Sequence, residues 1–322
     1  MPAVNHNPKI QVLRALAIVA VVFIHTCPSG MWQVFFRPFV NFGVGLFLFL
    51  SGMLTGPREH WMPFFRKRIL RVLVPYVIWT VLYALQKGAP EKIFFNLITA
   101  KANAAFYYVF VYIQFVLLTP WLLRLAKSRM QWLGWLVAPF SVLLFRYLPA
   151  ALGLTVPAIA EDIWNICCAG WFTFYYLGLV LGNSLLHRPL PGMAFTAAFL
   201  VLSVVLQILE GYLWFRCGLP NCGSQLKLTS MLTTATVLLL AYTWLEDKTK
   251  TGRYRLPVCI GNVSFGIYLS HIMVIRVLSC TSFYALLPFG LNTLLVFAAT
   301  FVPVALLSRL TGPRLSALLG LK

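Results

Sequence analysis

The sequence predicts an all-α fold, a polytopic membrane helical bundle with about ten transmembrane helices and both termini in the cytoplasm. Three observations predict it. Of the 322 residues 60% are hydrophobic and only 10% charged, with mean hydropathy +0.83, a composition outside the range of soluble domains. Apolar stretches recur at roughly the 17 to 25 residues that a helix needs to cross a hydrocarbon layer. Lys and Arg gather on alternate connections between those stretches, as orientation signals do.

The spans fall at about 10 to 27, 38 to 55, 69 to 85, 104 to 123, 132 to 147, 168 to 186, 192 to 215, 228 to 245, 258 to 277 and 286 to 307. The first has the apolar run of a signal peptide, yet Arg14 lies inside it and no small-residue cleavage pattern follows Cys27, so it reads as a retained helix. No linker or composition shift divides the rest, and residues 1–322 read as one integral-membrane domain. With the N-terminus inside, seventeen Lys and Arg fall on cytoplasmic segments, Arg188, Lys248, Lys250, Arg253 and Lys322 among them, against eight outside. The net charge of +19 is thereby spent on orientation, and nucleic acid is not an expected partner.

Seven cysteines show no C-x-x-C spacing, which gives no support to a metal or redox motif. Cys217 and Cys222 share the outer loop RCGLPNCGSQ, where a disulfide and two free thiols are both open readings.

Polar side chains inside spans carry the functional reading. Arg14 and His25 are eleven residues apart, about three helical turns, so they project from nearly one face about 16 Å apart along the axis. A charge facing lipid at membrane depth costs at least about 2.5 kcal/mol, so this face belongs in a protein interior or wet cavity. Taken singly, Arg14 reads equally as a residue snorkelling to inner headgroups, and His25 as a boundary histidine bonded to a neighbouring helix. In FFRKRILRVLVPY, residues 64 to 76, Arg68 and Arg71 are three apart on one face, and two guanidiniums present forks suited to phosphate. Arg66 and Lys67 need only the orientation rule. FGVGLFLFLSGM, residues 42 to 53, places Ser51 and Gly52 with Gly43 and Gly45, small residues that let helices approach closely. In IGNVSFGIYLSHI, residues 260 to 272, Ser264, Tyr268 and His271 form one polar stripe, either part of the same interior or an interhelical hydrogen-bond seam. Acidic residues are scarce; Glu161, Asp162 and Glu210 are each open as a partner that would orient His25.

Those motifs together, Arg14 and His25 with ten residues between them, GLFLFLSGM, FFRKRILRVLVPY and NVSFGIYLSHI, resemble the acyltransferase 3 family of bacterial membrane O-acyltransferases, in its short form without an appended extracytoplasmic domain. The resemblance runs from the first span to the tenth. It implies ten helices in the bacterial cytoplasmic (inner) membrane and transfer of an acyl group, usually acetyl from acetyl-CoA, to a hydroxyl of a cell-envelope carbohydrate or glycolipid. By position His25 is the catalytic residue, and Arg14, Arg68 and Arg71 serve the donor; Ser51, Gly52, Ser264, Tyr268 and His271 support the site. Acyl-CoA is a co-substrate, no cofactor or metal is implied, and membrane lipid is the surrounding partner. Two departures stand out: Gly45, where the family often has Asp or Pro, and AAFYYVFVYIQF in place of a tryptophan-rich HLWF-like stretch. A transporter or flippase for a lipid-linked or small anionic solute uses the same kind of polar face and remains the alternative.

Overall fold

In the computed structural model, which describes residues 7–186, 189–247 and 254–321, helices connected by short turns form the whole architecture, with no strand among the described residues. Eight helices are long and apolar enough to cross a membrane, and two bent pairs raise the number to ten if each pair is one span. The ten match the expected spans in order. The cations Arg188, Lys248, Lys250, Arg253 and Lys322, expected on the cytoplasmic side, lie outside the described residues.

The first span, Pro8–Thr26, starts where sequence chemistry says it should: Pro8 opens the helix and the Asn7 side chain accepts from the Lys9 amide at 2.9 Å, satisfying an orphan donor of the first turn. Lys9 anchors this end to the end of the eighth span, Leu228–Glu246. Its ammonium donates to the carbonyls of Trp244, at 3.0 Å, and Asp247. The opposite end stops at Cys27, which is extended, followed by Pro28. Between them Ala17, Ile18 and Val22 are fully enclosed, so this helix runs through the middle of the bundle.

Without water to drive helices together, association in lipid depends on close packing at small residues. The second half of the second span, Gly43–Met53, shows this against Phe172–Gly182 of the sixth. A methyl on Gly178 or Gly182 would run into the carbonyl oxygen of Phe49 or Met53, and one on Gly52 into that of Tyr175. A methyl on Gly45 would meet the side chains of Thr234 and Phe174. Met193–Arg216, Phe289–Leu310 and Leu133–Ala151 sit outermost, presenting Val201, Leu294 and Phe140 to the surroundings. Side chains that water would reject are where acyl chains solvate them.

Two spans differ from their sequence expectation in ways that shape the site. The third begins two turns earlier than its hydropathy suggested, at Trp61, so Arg66 to Arg71 lie within the helix Trp61–Gln86 and not at its start. The ninth is a pair, Arg255–Asn262 and Ser264–Ser279, bent by 74°. Gly261 before the bend packs on the Gln11 backbone of the first span so closely that no side chain fits.

Candidate active site

The bend, the first span and the third span enclose a cleft of about 980 Å³ of empty volume, counted to its open mouth. Arg14, Arg68 and Arg71 line it together with Ser51, Ser264 and Tyr268. Six of the nine residues singled out in the sequence thus meet in one place, although they come from four spans. The polar faces look inward, as the cost of charge in lipid requires.

The three cations differ in how they are held. Arg68 is half-buried; its Nη1 donates to the Tyr112 hydroxyl at 3.3 Å, and its guanidinium lies 5.5 Å from the Phe64 ring centre. Arg14, also half-buried, makes only a long bond to Gln11 at 3.5 Å. Arg71 is exposed at the mouth. The lining contains no carboxylate. Three positive groups around an acid-free cleft form a field whose complement is a polyanion.

Ser51 contributes a buried hydroxyl that has no partner. Gly52 belongs instead to the helix seam, because its backbone faces the sixth span. Residues not singled out from sequence complete the wall: Tyr108 and Tyr112, one turn apart in Tyr107–Lys127, and Asn262 at the bend. The first two come from AAFYYVFVYIQF, where the spacing of four was the available signal.

His25 is not on this lining, which stops one helical turn short of it at Val21 and at Tyr268. The Tyr268 hydroxyl donates to the Ala105 carbonyl, and its ring packs on Tyr108 with centres 5.5 Å apart. Beyond this aromatic floor His25 meets His271, with ring centres 5.2 Å apart. His271 is fully enclosed; its Nδ1 lies 2.8 Å from the Tyr268 carbonyl and 3.1 Å from that of Ile267. Carbonyls only accept, so neutral His271 carries its proton on Nδ1 and leaves Nε2 as a lone-pair acceptor. That Nε2 is buried without a partner.

The turn that holds His271 is opened by a side chain. The Tyr83 hydroxyl donates to the Leu269 carbonyl at 3.0 Å and accepts from the Met273 amide at 2.9 Å. It thereby occupies a rung of the helix ladder between residues four apart. Tyr83 itself is fully enclosed, which fixes the turn against the third span.

Each of the three carboxylates left open as a partner of His25 bonds elsewhere. Glu161 is paired with Arg146 at 2.7 Å, Asp162 with Lys101 at 2.6 Å, and Glu210 is bonded to Tyr147 and Thr229. All three are engaged by nearer groups of the outer side, and the ring beside His25 is another imidazole. Cys217 and Cys222 are both free thiols, Cys222 with its sulfur 3.9 Å from the Gly30 carbonyl. Among the described residues no group of His, Cys, Asp and Glu is arranged to hold a metal ion.

No curated protein and no solved structure matches the chain. The family model described as an acyltransferase domain matches residues 7–309, a stretch that contains the arginine cleft, the imidazole pair and the bend between them. On that match the chain belongs to the acyltransferase 3 family.

Proposed function

We propose that this membrane acyltransferase is an O-acyltransferase of the bacterial cytoplasmic membrane, moving acetyl from acetyl-CoA to a hydroxyl of a cell-envelope carbohydrate or glycolipid. One observation carries the reading: three arginines converge on an acid-free cleft whose floor lies one helical turn from a pair of imidazoles with ring centres 5.2 Å apart. Acyl-CoA has a polyanionic head and a thioester at the end of a flexible arm. The cationic cleft suits the head, and the arm passes Val21 and Tyr268 to bring the thioester to His25.

There His25, as a neutral imidazole, removes the proton of the acceptor hydroxyl while its oxygen attacks the thioester carbonyl. The tetrahedral intermediate expels the CoA thiolate, which takes the proton back from the imidazolium. Ester and CoA thiol are the products, and atoms balance without a further reactant. In the ping-pong variant His25 is itself acylated first and then passes the group on.

The test uses the full chain in lipid nanodiscs, acetyl-CoA and a glycan extract from the envelope, with thiol release as readout. Release should depend on acceptor and vanish in His25→Ala while the variant remains folded. Near-normal turnover in that variant removes the histidine from the mechanism. A transporter built on the same face would release no thiol. Mass spectrometry of envelope glycans with and without the gene identifies the acceptor by loss of an acetyl increment.

A further inference from the structure

A second group of polar side chains lies on the far side of His25 from the donor cleft. Arg37 sits at the kink of the second span, between Met31–Phe36 and Gly43–Met53. Its guanidinium is held only by long bonds to neutral acceptors: Nη2 to the Ile24 carbonyl, adjacent to His25, at 3.5 Å, and Nη1 to the Gly223 carbonyl at 3.3 Å and Gln33 at 3.4 Å. Its Nε is buried and bonded to nothing. No carboxylate among the described residues bonds to it.

The neighbours are similarly incomplete. Asn41 shares the Gly223 carbonyl through its amide nitrogen, at 3.4 Å, and leaves a buried Oδ1 without a partner. Gln225, two residues past Gly223, leaves a buried Oε1 free and meets the Tyr107 hydroxyl. Arg37 interacts electrostatically with both Tyr107 and His25. His25, Arg37, Tyr107 and Gln225 are each half-buried, so each keeps a face that solvent reaches.

Buried polar groups in folded proteins are nearly always satisfied, and an unpaired cation at membrane depth is costly to keep. A guanidinium with an idle Nε, two idle amide oxygens and a phenol, gathered around Arg37 whose Nη2 bonds to the carbonyl next to His25, offer one charge and several donors and acceptors. That set fits a polyol carrying an oxyanion. We infer that Arg37, with Asn41, Tyr107 and Gln225, forms an acceptor subsite that takes an acidic sugar, one bearing a carboxylate or a phosphate, and holds its hydroxyl toward His25. The inference rests on the acyl-transfer reading for its purpose, and its test does not.

The test is tryptophan-fluorescence titration of the full chain in nanodiscs with glucuronic acid, glucose 1-phosphate and glucose at fixed ionic strength. The acidic sugars should bind saturably and glucose should not; whichever acid binds more tightly names the anion. Arg37→Gln should weaken the acid sugars about tenfold or more, the worth of a charged hydrogen bond, and Arg37→Lys should restore part of it. Gln225→Ala, which leaves every bond of Arg37 in place, should weaken them severalfold and provides the readout if Arg37→Gln does not fold. Binding is read without any acyl donor and thiol release is read separately, so failure of the chemistry and failure of the subsite are separable. Equal binding of glucose and the acids, or affinities unchanged in Gln225→Ala and Arg37→Gln, overturns the proposal.

Discussion

Arg68 and Arg71 face the same cleft from adjacent turns of one helix, yet their surroundings predict unequal effects of removal. Arg68 is half-buried, bonded to Tyr112 and packed on Phe64, so its fork is set before the donor arrives. A hydrogen bond to a charged group in such a setting is worth about 1.5–3 kcal/mol. Its loss in Arg68→Ala should raise the KM for acetyl-CoA roughly 10- to 100-fold. Arg71 stands exposed at the mouth, where water and salt screen it and where ion pairs are worth about 0.2–1 kcal/mol. Arg71→Ala should therefore raise KM by no more than about fivefold, with an effect that shrinks as salt rises. The assay is thiol release at saturating acceptor, with acetyl-CoA varied at two ionic strengths. Equal effects of the two substitutions, or a change confined to the KM of the acceptor, would refute the argument that burial and pre-set geometry decide what each arginine contributes.

Tyr83→Phe removes the hydroxyl that occupies the rung between Leu269 and Met273. The turn bearing His271 should shift, lowering kcat with the KM for acetyl-CoA unchanged; an unaltered kcat would show that the opened rung does not position the imidazole pair. Gly178→Ala drives a methyl into the Phe49 carbonyl and should cost about 1–3 kcal/mol of stability, read as a lower unfolding temperature in detergent; a shift within error would mean that the seam yields. Single-cysteine variants retaining Cys217 or Cys280, both exposed, should react with a membrane-impermeant maleimide on intact spheroplasts. Labelling only after permeabilisation would reverse the orientation.

The cationic cleft was readable in the sequence because its residues violate a strong rule. A charge or hydroxyl at membrane depth has to face inward, so Arg14, Arg68, Arg71, Ser264 and Tyr268, once placed on helices, pointed to a shared interior before any tertiary contact was known. The contact between the imidazoles was only partly readable. The stripe that holds His271 was expected to share an interior with Arg14 and His25 or to form a seam, and only the mutual placement of the first and ninth spans brings the two rings together. Tyr83 was invisible for a related reason, since nothing in IWTVLYALQ marks a tyrosine whose hydroxyl enters another helix's backbone. For Glu161, Asp162 and Glu210 scarcity alone left a histidine partner open, and what decides is tertiary: Arg146, Lys101, and Tyr147 with Thr229 hold them.

Arg14 and His25 share a face, but one helix cannot form both walls of a site three turns long. The 74° bend supplies the second wall. Before it, Gly261 lets the ninth span touch the first at Gln11, one turn from Arg14. After it, the helix leads away from that contact carrying Ser264, then Tyr268, then His271, three residues that face successive depths of the first span. Ser264 and Tyr268 line the cleft with Arg14, and His271 meets His25. Tyr268 is thus the point where the wall of the donor cleft becomes the floor that separates it from the imidazoles. Its hydroxyl bond to Ala105 closes that floor, so under the proposed mechanism the donor arm has to displace the tyrosine ring to reach His25. On that proposal the cationic cleft fills before the imidazole is reached, and Tyr268, standing where the cleft ends, makes occupancy of the cleft precede contact of the thioester with His25.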